Sequence, residues 1–340
     1  MTTRFPCLNI EGGLFASDLI DQIGDGTVQG QKPADFKLSP RTYLTDEIAA
    51  VWTDARSFWT AFQHRLERLP QEDTGTSITR DQWMIPLLSL LGYELTYTSR
   101  AAEVDGQTYA ISHRAGPDEN APPVHIVGCR QSLDRRPESG RPRLAPHSLL
   151  QEYINRTEHL WGIATNGYTM RLLRDSQLIR RQAYIEFDLK QTMESEKFAD
   201  FALLYRLVHR TRLPRGVEDA SECLLERYHS ITIEQGGRVR DHLRDGVEEA
   251  LKILANGLLH HPKNQHLRER SKNGELNPYS SYQQLLRLIY RFLFLMVAEE
   301  RNLITENQAY RDHYSINRLR YLSELRPAYS DHCSNYQIMR

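Results

Sequence analysis

Several features that would assign this chain to a definite class are missing from its sequence. The N-terminus, MTTRFPCLNIEGG, carries no apolar signal segment and so indicates no membrane or secretory route. Neither a Gly-x-Ser-x-Gly elbow nor a Walker loop occurs, which leaves out two common signatures of hydrolases and nucleotide-binding proteins. The four cysteines form no Cys-x-x-Cys pair and lie far apart: Cys7, Cys129, Cys223 and Cys333. A reduced, cytoplasmic protein without a zinc site is therefore expected.

Long apolar runs are also scarce. The most apolar stretch is LLRLIYRFLFLMVAEERNLI, residues 285–304, and its longest uncharged part is the seven residues 292–298. A membrane-spanning helix needs about 20 predominantly apolar residues, so this stretch is too short. Its apolar residues recur at helical spacing, which predicts a buried core helix in a helical domain.

Lysine is rare, with 7 lysines against 36 arginines, and the net charge is −1. The charges are unevenly spread: residues 1–80 carry 8 basic and 11 acidic side chains, while residues 130–215 carry 16 and 10. A GC-rich genome explains an arginine excess, and so does selection for phosphate or base-edge contacts, which suit the guanidinium fork. Composition therefore permits DNA binding without demonstrating it.

The order of patterns predicts an α/β protein with an added all-α region. Residues 1–75 are expected to form a helical lead-in, residues 76–190 an α/β domain, and residues 191–340 a helical connecting domain. Within the α/β domain, Asn166-Gly167 is expected to form a two-residue hairpin turn between two strands. In the last region, Gly236-Gly237 is expected to separate two helices.

Three short motifs are similar to functional loops but lack the context those loops need. IGDGTVQG (23–30) follows a helical pattern, whereas a nucleotide-binding loop should follow a strand and open a helix. Asn277-Pro278-Tyr279 lacks the second proline of the Asn-Pro-Pro-Tyr loop of amino-methylating DNA methyltransferases. Adjacent His260 and His261 have no further ligand at metal-site spacing, so no metal site is predicted. We expect a helix exit, a turn before a helix and a helix end, respectively.

The segment VHIVGCRQSLD (124–134) follows a helix and a pair of strands, which is the layout of a PD-(D/E)xK nuclease core. In that core an acidic residue ends one strand, and Glu-x-Lys on the next strand completes a Mg²⁺ site. Here Ser112 and His113 stand at the first position, and Gly128 and Arg130 stand at the Glu and Lys positions. These side chains offer a hard dication at most a hydroxyl. A degenerate nuclease-like domain with no catalytic and no metal-binding residues is therefore expected.

Longer segments resemble one protein group. GGLFASDLI, WGIATNGYTMRLLRD, LLERYHSITIEQGGRVRDHLRDGVEEALKILANGLL and QLLRLIYRFLFLMVAEERNLI resemble the N-terminal half of large DNA adenine methyltransferases, over most of residues 12–330. That group includes type IIG restriction–modification proteins and phage-defence systems of the BREX and DISARM kind. Ala298 to Ile304 is similar to the group's Ala-Glu-[Glu/Asp]-Arg-x-Leu-[Leu/Ile] signature, which precedes the methyltransferase domain.

The resemblance implies a DNA-engaging and partner-docking region of a defence-associated N6-adenine methyltransferase. Neither the S-adenosylmethionine loop nor the Asn-Pro-Pro-Tyr loop is present. We therefore expect a fragment, a split gene product or a truncated homologue, with S-adenosylmethionine bound only by the missing domain. Double-stranded DNA and other defence-system subunits are the expected partners, and no membrane is.

The candidate DNA contacts are arginines in and beside a loop rich in proline and glycine: Arg130, Arg135, Arg136, Arg141, Arg143, Arg180 and Arg181. A solvated loop without DNA contacts is the alternative reading of the same residues. Two further functions stay open. One is an active Mg²⁺-dependent endonuclease that uses other carboxylates, such as Glu103, Asp105, Asp118 or Asp134. The other is a scaffold that binds a defence subunit and does not touch DNA.

Overall fold

A computed structural model describes residues 4–136, 144–175, 182–301, 303–304, 307–316 and 318. Contacts along the chain separate two compact units, residues 2–234 and residues 235–340. The first unit takes in the predicted lead-in, the predicted α/β domain and the first part of the predicted helical region. The mixed α/β class expected for the chain is confirmed by the elements below.

In the described residues, nine strands occur: β1 (Leu8–Glu11), β2 (Thr96–Tyr97), β3 (Ala102–Val104), β4 (Gln107–Tyr109), β5 (His113–Arg114), β6 (Pro123–Ile126), β7 (Trp161–Thr165), β8 (Thr169–Arg174) and β9 (Tyr184–Asp188). Seven of these form one sheet in the order β1-β9-β8-β7-β6-β5-β2, and β3 and β4 form a separate hairpin. The pair β6–β7 is parallel, and the other strand pairs of the described residues are antiparallel. The sheet is therefore mixed, with its parallel pair in the centre.

The described helices are α1 (Ser17–Asp25), α2 (Leu44–Leu66), α3 (Thr76–Ile78), α4 (Ile85–Leu90), α5 (Pro146–Arg156), α6 (Leu189–Glu194), α7 (Phe198–Val208), α8 (Leu224–His260), α9 (Gln265–Lys272), α10 (Pro278–Glu300) and α11 (Gln308–His313). A π-helical turn, Thr79–Met84, joins α3 to α4. Helix α5 is the crossover between the parallel strands β6 and β7, as a parallel connection requires. No helix in the described residues combines the length and the apolar character needed to cross a bilayer.

The core of the first unit explains why the lead-in belongs to it. Strand β1, which the sequence pattern did not indicate, pairs with β9 at the edge of the sheet. Phe62 on α2 and Trp83 before α4 are fully buried in the same cluster as Trp161 on β7. The indole nitrogen of Trp83 donates to the Gly167 carbonyl oxygen at 2.7 Å, which fixes the β7–β8 turn against this helical layer.

The β7–β8 hairpin is confirmed, but its turn lies one residue later than expected. Thr165 pairs with Met170, and the Asn166 amide donates to the Thr169 carbonyl at 3.2 Å, so Gly167-Tyr168 is the two-residue loop. Gly167 has φ +82°, and a Cβ there would lie 2.7 Å from a Thr79 methyl group. Glycine is required at this position because both the backbone angle and the close approach exclude a side chain.

The expected break at Gly236-Gly237 is wrong, because α8 continues through both glycines to His260. Two other local expectations are confirmed. Helix α1 ends at Gly26, whose left-handed conformation closes the helix, so IGDGTVQG is a helix exit. The Asn277 side chain accepts hydrogen bonds from the amides of Tyr279 and Ser280, so the Asn-Pro-Tyr motif caps the start of α10.

Helix α10 is present where the apolar run predicted a helix, and the face that the spacing predicted is buried in part. Ile289 is buried and Leu288 and Phe292 are half-buried, whereas Leu295 is 37% and Met296 42% exposed. Helical spacing identifies an apolar face, but burial needs a second layer packed against it. In the described residues, that layer covers the part of the face around Ile289 more completely than the part around Met296.

Candidate functional site

The residues that the sequence placed at the first nuclease position lie where β5 pairs with β6. The Ser112 hydroxyl accepts from the Ile126 amide at 2.8 Å and donates to the Val124 carbonyl at 3.2 Å. His113 is buried, and its Nδ1 atom lies 2.9 Å from the same hydroxyl oxygen. The Ser112 hydroxyl therefore connects its own segment to β6, and His113 contacts that hydroxyl from the neighbouring position.

A second histidine, His125 on β6, is part of this cluster and was not singled out from the sequence. Burial, together with the smaller effect of the nearby His113, lowers the pKa of His125 to about 4. Burial also lowers the pKa of His113 to about 4, with the charge of Arg80 acting in the same direction. Both rings are therefore neutral at neutral pH, and the cluster carries no negative charge of its own to attract a cation.

The expectation that Gly128 and Arg130 continue the strand is wrong, because β6 ends at Ile126. The Gly128 amide turns to the Gln131 side-chain oxygen at 3.0 Å, which ends the ladder. A Cβ on Gly128 would lie 2.2 Å from the Thr74 carbonyl oxygen. Arg130 donates to the backbone carbonyls of Leu69, Pro70 and Asp73. Both residues hold the 69–76 segment against the end of the strand.

A polar pocket of about 370 Å³ opens at this strand exit, where the carboxyl ends of the parallel strands β6 and β7 meet. Its lining residues are Cys129, Arg130, Gln131, Ser132, Leu133, Asp134, Asn166, Tyr168, Thr169 and Arg171. The Asn166 amide group joins the two loops by donating to the Gln131 carbonyl at 2.8 Å. Crevices beyond the carboxyl ends of parallel strands are frequent ligand sites in α/β sheets.

Arg171 on β8 is the buried charge of this pocket. Its two terminal nitrogens donate to the two carboxylate oxygens of Asp134 at 2.5 and 2.8 Å, and its Nε donates to Glu186 at 2.5 Å. The hydrogen bonds from Arg171 hold the pKa of Asp134 below its usual value. One guanidinium group thus binds two carboxylates. The sequence did not indicate that Arg171 and Asp134 form an ion pair.

Arg135 and Arg136 follow Asp134 directly and are exposed. No ion pair or hydrogen bond of their side chains occurs within the part of the chain that the structure describes. The other predicted DNA contacts, Arg141, Arg143, Arg180 and Arg181, lie outside the described residues. Of the seven predicted arginines, Arg130 lines this pocket, and Arg135 and Arg136 follow its lining residue Asp134 in the sequence.

The carboxylates considered for an active nuclease lie on different elements. Glu103 is on β3, and Asp105, in the turn to β4, lies 3.7 Å from Arg156. Asp118 accepts from the Asn120 amide before β6, and Asp134 binds Arg171 after it. Among the described residues, no group of three or more histidine, cysteine or acidic side chains is arranged to hold a metal ion.

A larger cavity of about 630 Å³ lies elsewhere in the same unit and was not indicated by the sequence. Arg210 and Arg212 form part of its lining, but their guanidinium groups are used inside the fold. Arg212 donates to the carbonyls of Gly30 and Asp35, and Arg210 donates to the Ala115 carbonyl at 2.8 Å. These arginines stabilise loops by satisfying buried carbonyls.

Comparisons with protein-family models, with curated proteins and with solved structures gave no match to this chain. The resemblance to large adenine methyltransferases therefore stays a prediction from the sequence segments. The site has to be interpreted from its own geometry and charge.

Proposed function

We propose that this chain engages double-stranded DNA, without cutting it, at the exit of strands β6 and β7. In this proposal it is the N-terminal DNA-engaging and partner-docking region of a defence-associated N6-adenine DNA methyltransferase. The proposal assigns neither methylation nor S-adenosylmethionine binding to this region. The three described cysteines are free thiols, which is in keeping with a reducing, cytoplasmic location.

The observation that carries the proposal is the pair of exposed arginines beside the polar pocket. Both side chains are exposed, and neither forms an ion pair within the described residues. Guanidinium groups bind phosphate through paired N–H donors. Arginines on a loop at the edge of a groove are suited to the sequence-independent part of DNA binding.

The topology supports a nuclease-like shape for the domain. Helix α4 precedes the antiparallel strands β2, β5 and β6, and α5 crosses over to the parallel strand β7. This is the order of helix, strand pair and strand with polar exit expected from the sequence. The PD-(D/E)xK interpretation remains part of the proposal.

We propose that the chain does not cut DNA because other residues stand where a nuclease has its metal-binding carboxylates. Ser112 and His113 use their polar atoms between β5 and β6, and Asp134 is already held by Arg171. Arg130 cannot act as a base because a guanidinium stays protonated. We expect no nicking of supercoiled DNA above background with Mg²⁺ or Mn²⁺. Nicking that disappears in Asp118→Asn or Asp134→Asn would favour the active endonuclease instead.

A titration of duplex DNA at several salt concentrations tests the DNA-binding part. The wild-type chain is compared with R135A/R136A and with R41A/R227A, a control that removes two exposed arginines of the same unit that are distant in sequence from the 129–136 loop. Each neutralised phosphate contributes a slope of about −0.9 in log affinity against log salt. We expect R135A/R136A to flatten the slope by about one to two units and the control to leave it unchanged.

A protein-binding scaffold is the second candidate, and the exposed apolar side chains of α10 favour it. Phe294, Met296 and Val297 are 72%, 42% and 48% exposed, which is unusual for a contiguous helical turn. A scaffold of this kind predicts no binding of duplex DNA even at low salt. The same titration therefore separates the two candidates.

A further inference from the structure

We propose that the guanidinium group of Arg171 is a binding position for one phosphate group, and that Asp134 occupies this position when the ligand is absent. This inference rests on the proposed function and deepens it. The ligand is a backbone phosphate of nucleic acid, and a free phosphate ester has the same recognition chemistry. The exposed arginines Arg135 and Arg136 would then be the outer contacts and Arg171 the inner one.

The geometry of the pair is that of a carboxylate in the place of a phosphate. Both terminal nitrogens of Arg171 bind both oxygens of Asp134, at 2.5 and 2.8 Å. Phosphate oxygens bind arginine through the same two parallel N–H donors. Asp134 thus fills a position that a phosphate group fits without any change in the arginine.

The pocket is open on the side of Asp134. The Asp134 side chain is 56% exposed, whereas that of Arg171 is 7% exposed and that of Glu186 is 24% exposed. Asp134 and Arg171 both line the 370 Å³ pocket, and Glu186 is not among its lining residues. Movement of Asp134 into solvent would therefore expose the terminal nitrogens of Arg171 to the pocket, while Glu186 stays behind them.

Arg171 would keep its position and a counter-charge after such a movement. Glu186 remains hydrogen-bonded to its Nε, and the Tyr184 ring packs with its centroid 4.6 Å from the guanidinium carbon. A buried charge that loses its last partner destabilises a protein strongly, but here one carboxylate remains. The exchange replaces one anion by another on a guanidinium that is already in place.

The chain around Asp134 has an anchor on one side only in the described residues. Leu133 is buried, and its carbonyl accepts a hydrogen bond from the His147 amide at 3.0 Å. Arg135 and Arg136, on the other side, make no described side-chain contact of this kind. Rotation of the backbone after Leu133 would move Asp134 out and carry both arginines with it.

The test compares two charge-matched variants of the full chain, Asp134→Asn and Glu186→Gln. Each removes one negative charge from Arg171, but only the first frees the edge that faces the pocket. Because the phosphate no longer competes with a charged carboxylate for Arg171, we expect D134N to bind duplex DNA on the order of tenfold more tightly. Its salt slope should steepen by about 0.9, the contribution of one more phosphate. E186Q should stay within about twofold of wild type.

Two ligands separate the possible sources of the phosphate: duplex DNA and inorganic phosphate, the latter followed by the NMR shift of the arginine Nε–H signals. Circular dichroism and urea unfolding check that both variants are folded. Tighter DNA binding by D134N alone supports the inference. Equal gains in D134N and E186Q would show a general charge effect and overturn it.

The inference and the proposed function can fail separately. If no variant binds DNA but D134N gains affinity for phosphate, the phosphate position stands and the DNA-binding proposal falls. If DNA binding depends on Arg135 and Arg136 while D134N matches wild type with both ligands, the DNA-binding proposal stands. The Arg171 position is then refuted.

Discussion

The two units of this chain use apolar residues very differently. In residues 2–234 the aromatic side chains of helices and strands share one core, in which Phe201 packs 4.9 Å from the Trp52 ring. In residues 235–340 the most apolar helix, α10, has Phe294 72% exposed. The same helical periodicity predicted both α2, which carries Trp52, and α10. An apolar face is therefore a local property of the sequence, whereas its burial depends on residues far away along the chain.

The largest expected effect uses the same substitution in both units. We expect Phe201→Ala to lower the free energy of unfolding by about 3–5 kcal/mol, because it leaves a cavity in a closely packed core. Phe294→Ala should change it by less than about 0.5 kcal/mol, since little contact is lost at an exposed position. Urea unfolding followed by far-UV circular dichroism measures both values.

Because the units can unfold in separate steps, tryptophan fluorescence should be recorded in parallel. The four tryptophans, Trp52, Trp59, Trp83 and Trp161, all lie in the first unit and report on it alone. A large loss of stability in Phe294→Ala would show that this side chain is covered in solution. The two units would then differ less in how they bury apolar side chains.

Helices and strands with strong patterns were predictable, and the pairing of distant segments was not. The periodicity of EIAAVWTDARSFWTAFQHRL indicated α2, and Gly167 indicated the β7–β8 turn. Strand β1 was missed because four alternating residues, LNIE, carry little signal until β9 lies beside them. Gly236-Gly237 was taken as a break because glycine is unfavourable in helices, but a helix of 37 residues absorbs that cost.

The candidate site shows the same limit. The strand exit after β6 and the arginines beside it were indicated by composition and loop residues. The ion pair between Asp134 and Arg171 was not, since 37 positions separate the two residues and only the sheet brings them together. His125 was overlooked because a single histidine in an apolar strand has no distinguishing neighbours in sequence. Gly128 and Arg130 were expected on a strand but lie beyond its end, and propensity alone defines the end of a strand poorly.

The pH dependence of stability sharpens the contrast through a buried histidine of the first unit. Burial lowers the pKa of His147 to about 4 from the ordinary 6.5, and the nearby charge of Arg171 acts the same way. The unfolded chain therefore binds a proton between pH 6.5 and about 4 that the folded chain does not. Stability from this group is complete above pH 6.5 and is lost as the pH falls towards 4, by up to about 3 kcal/mol.

Replacing His147 by Leu removes this titration. It breaks no hydrogen bond among the described residues, because neither ring nitrogen has a partner there. We expect the variant to lose less stability than wild type between pH 6.5 and 4 in urea unfolding. Replacing His266, which is exposed on α9, by Leu is the matched histidine-to-leucine control. An unaltered profile in His147→Leu would mean that the ring is hydrated in solution.

The smallest expected effect is a reversal of sign between two glycine-to-alanine substitutions. At Gly128 in the first unit, a Cβ would lie 2.2 Å from the Thr74 carbonyl oxygen, so the backbone has to shift. We expect Gly128→Ala to destabilise the chain by about 1–3 kcal/mol, the usual cost of overpacking.

At Gly236 in the second unit no atom lies within 4 Å of the added Cβ, and the residue is inside the continuous helix α8. Alanine reduces the conformational freedom of the unfolded chain and favours the helix, so Gly236→Ala should stabilise it by about 0.5–1 kcal/mol. Thermal unfolding by circular dichroism at 222 nm, a helix signal, measures both variants under one condition. If Gly236→Ala were destabilising, α8 would bend or break at the glycine pair in solution, as the sequence alone had indicated, and residues 224–260 would form two helices where the structure has one.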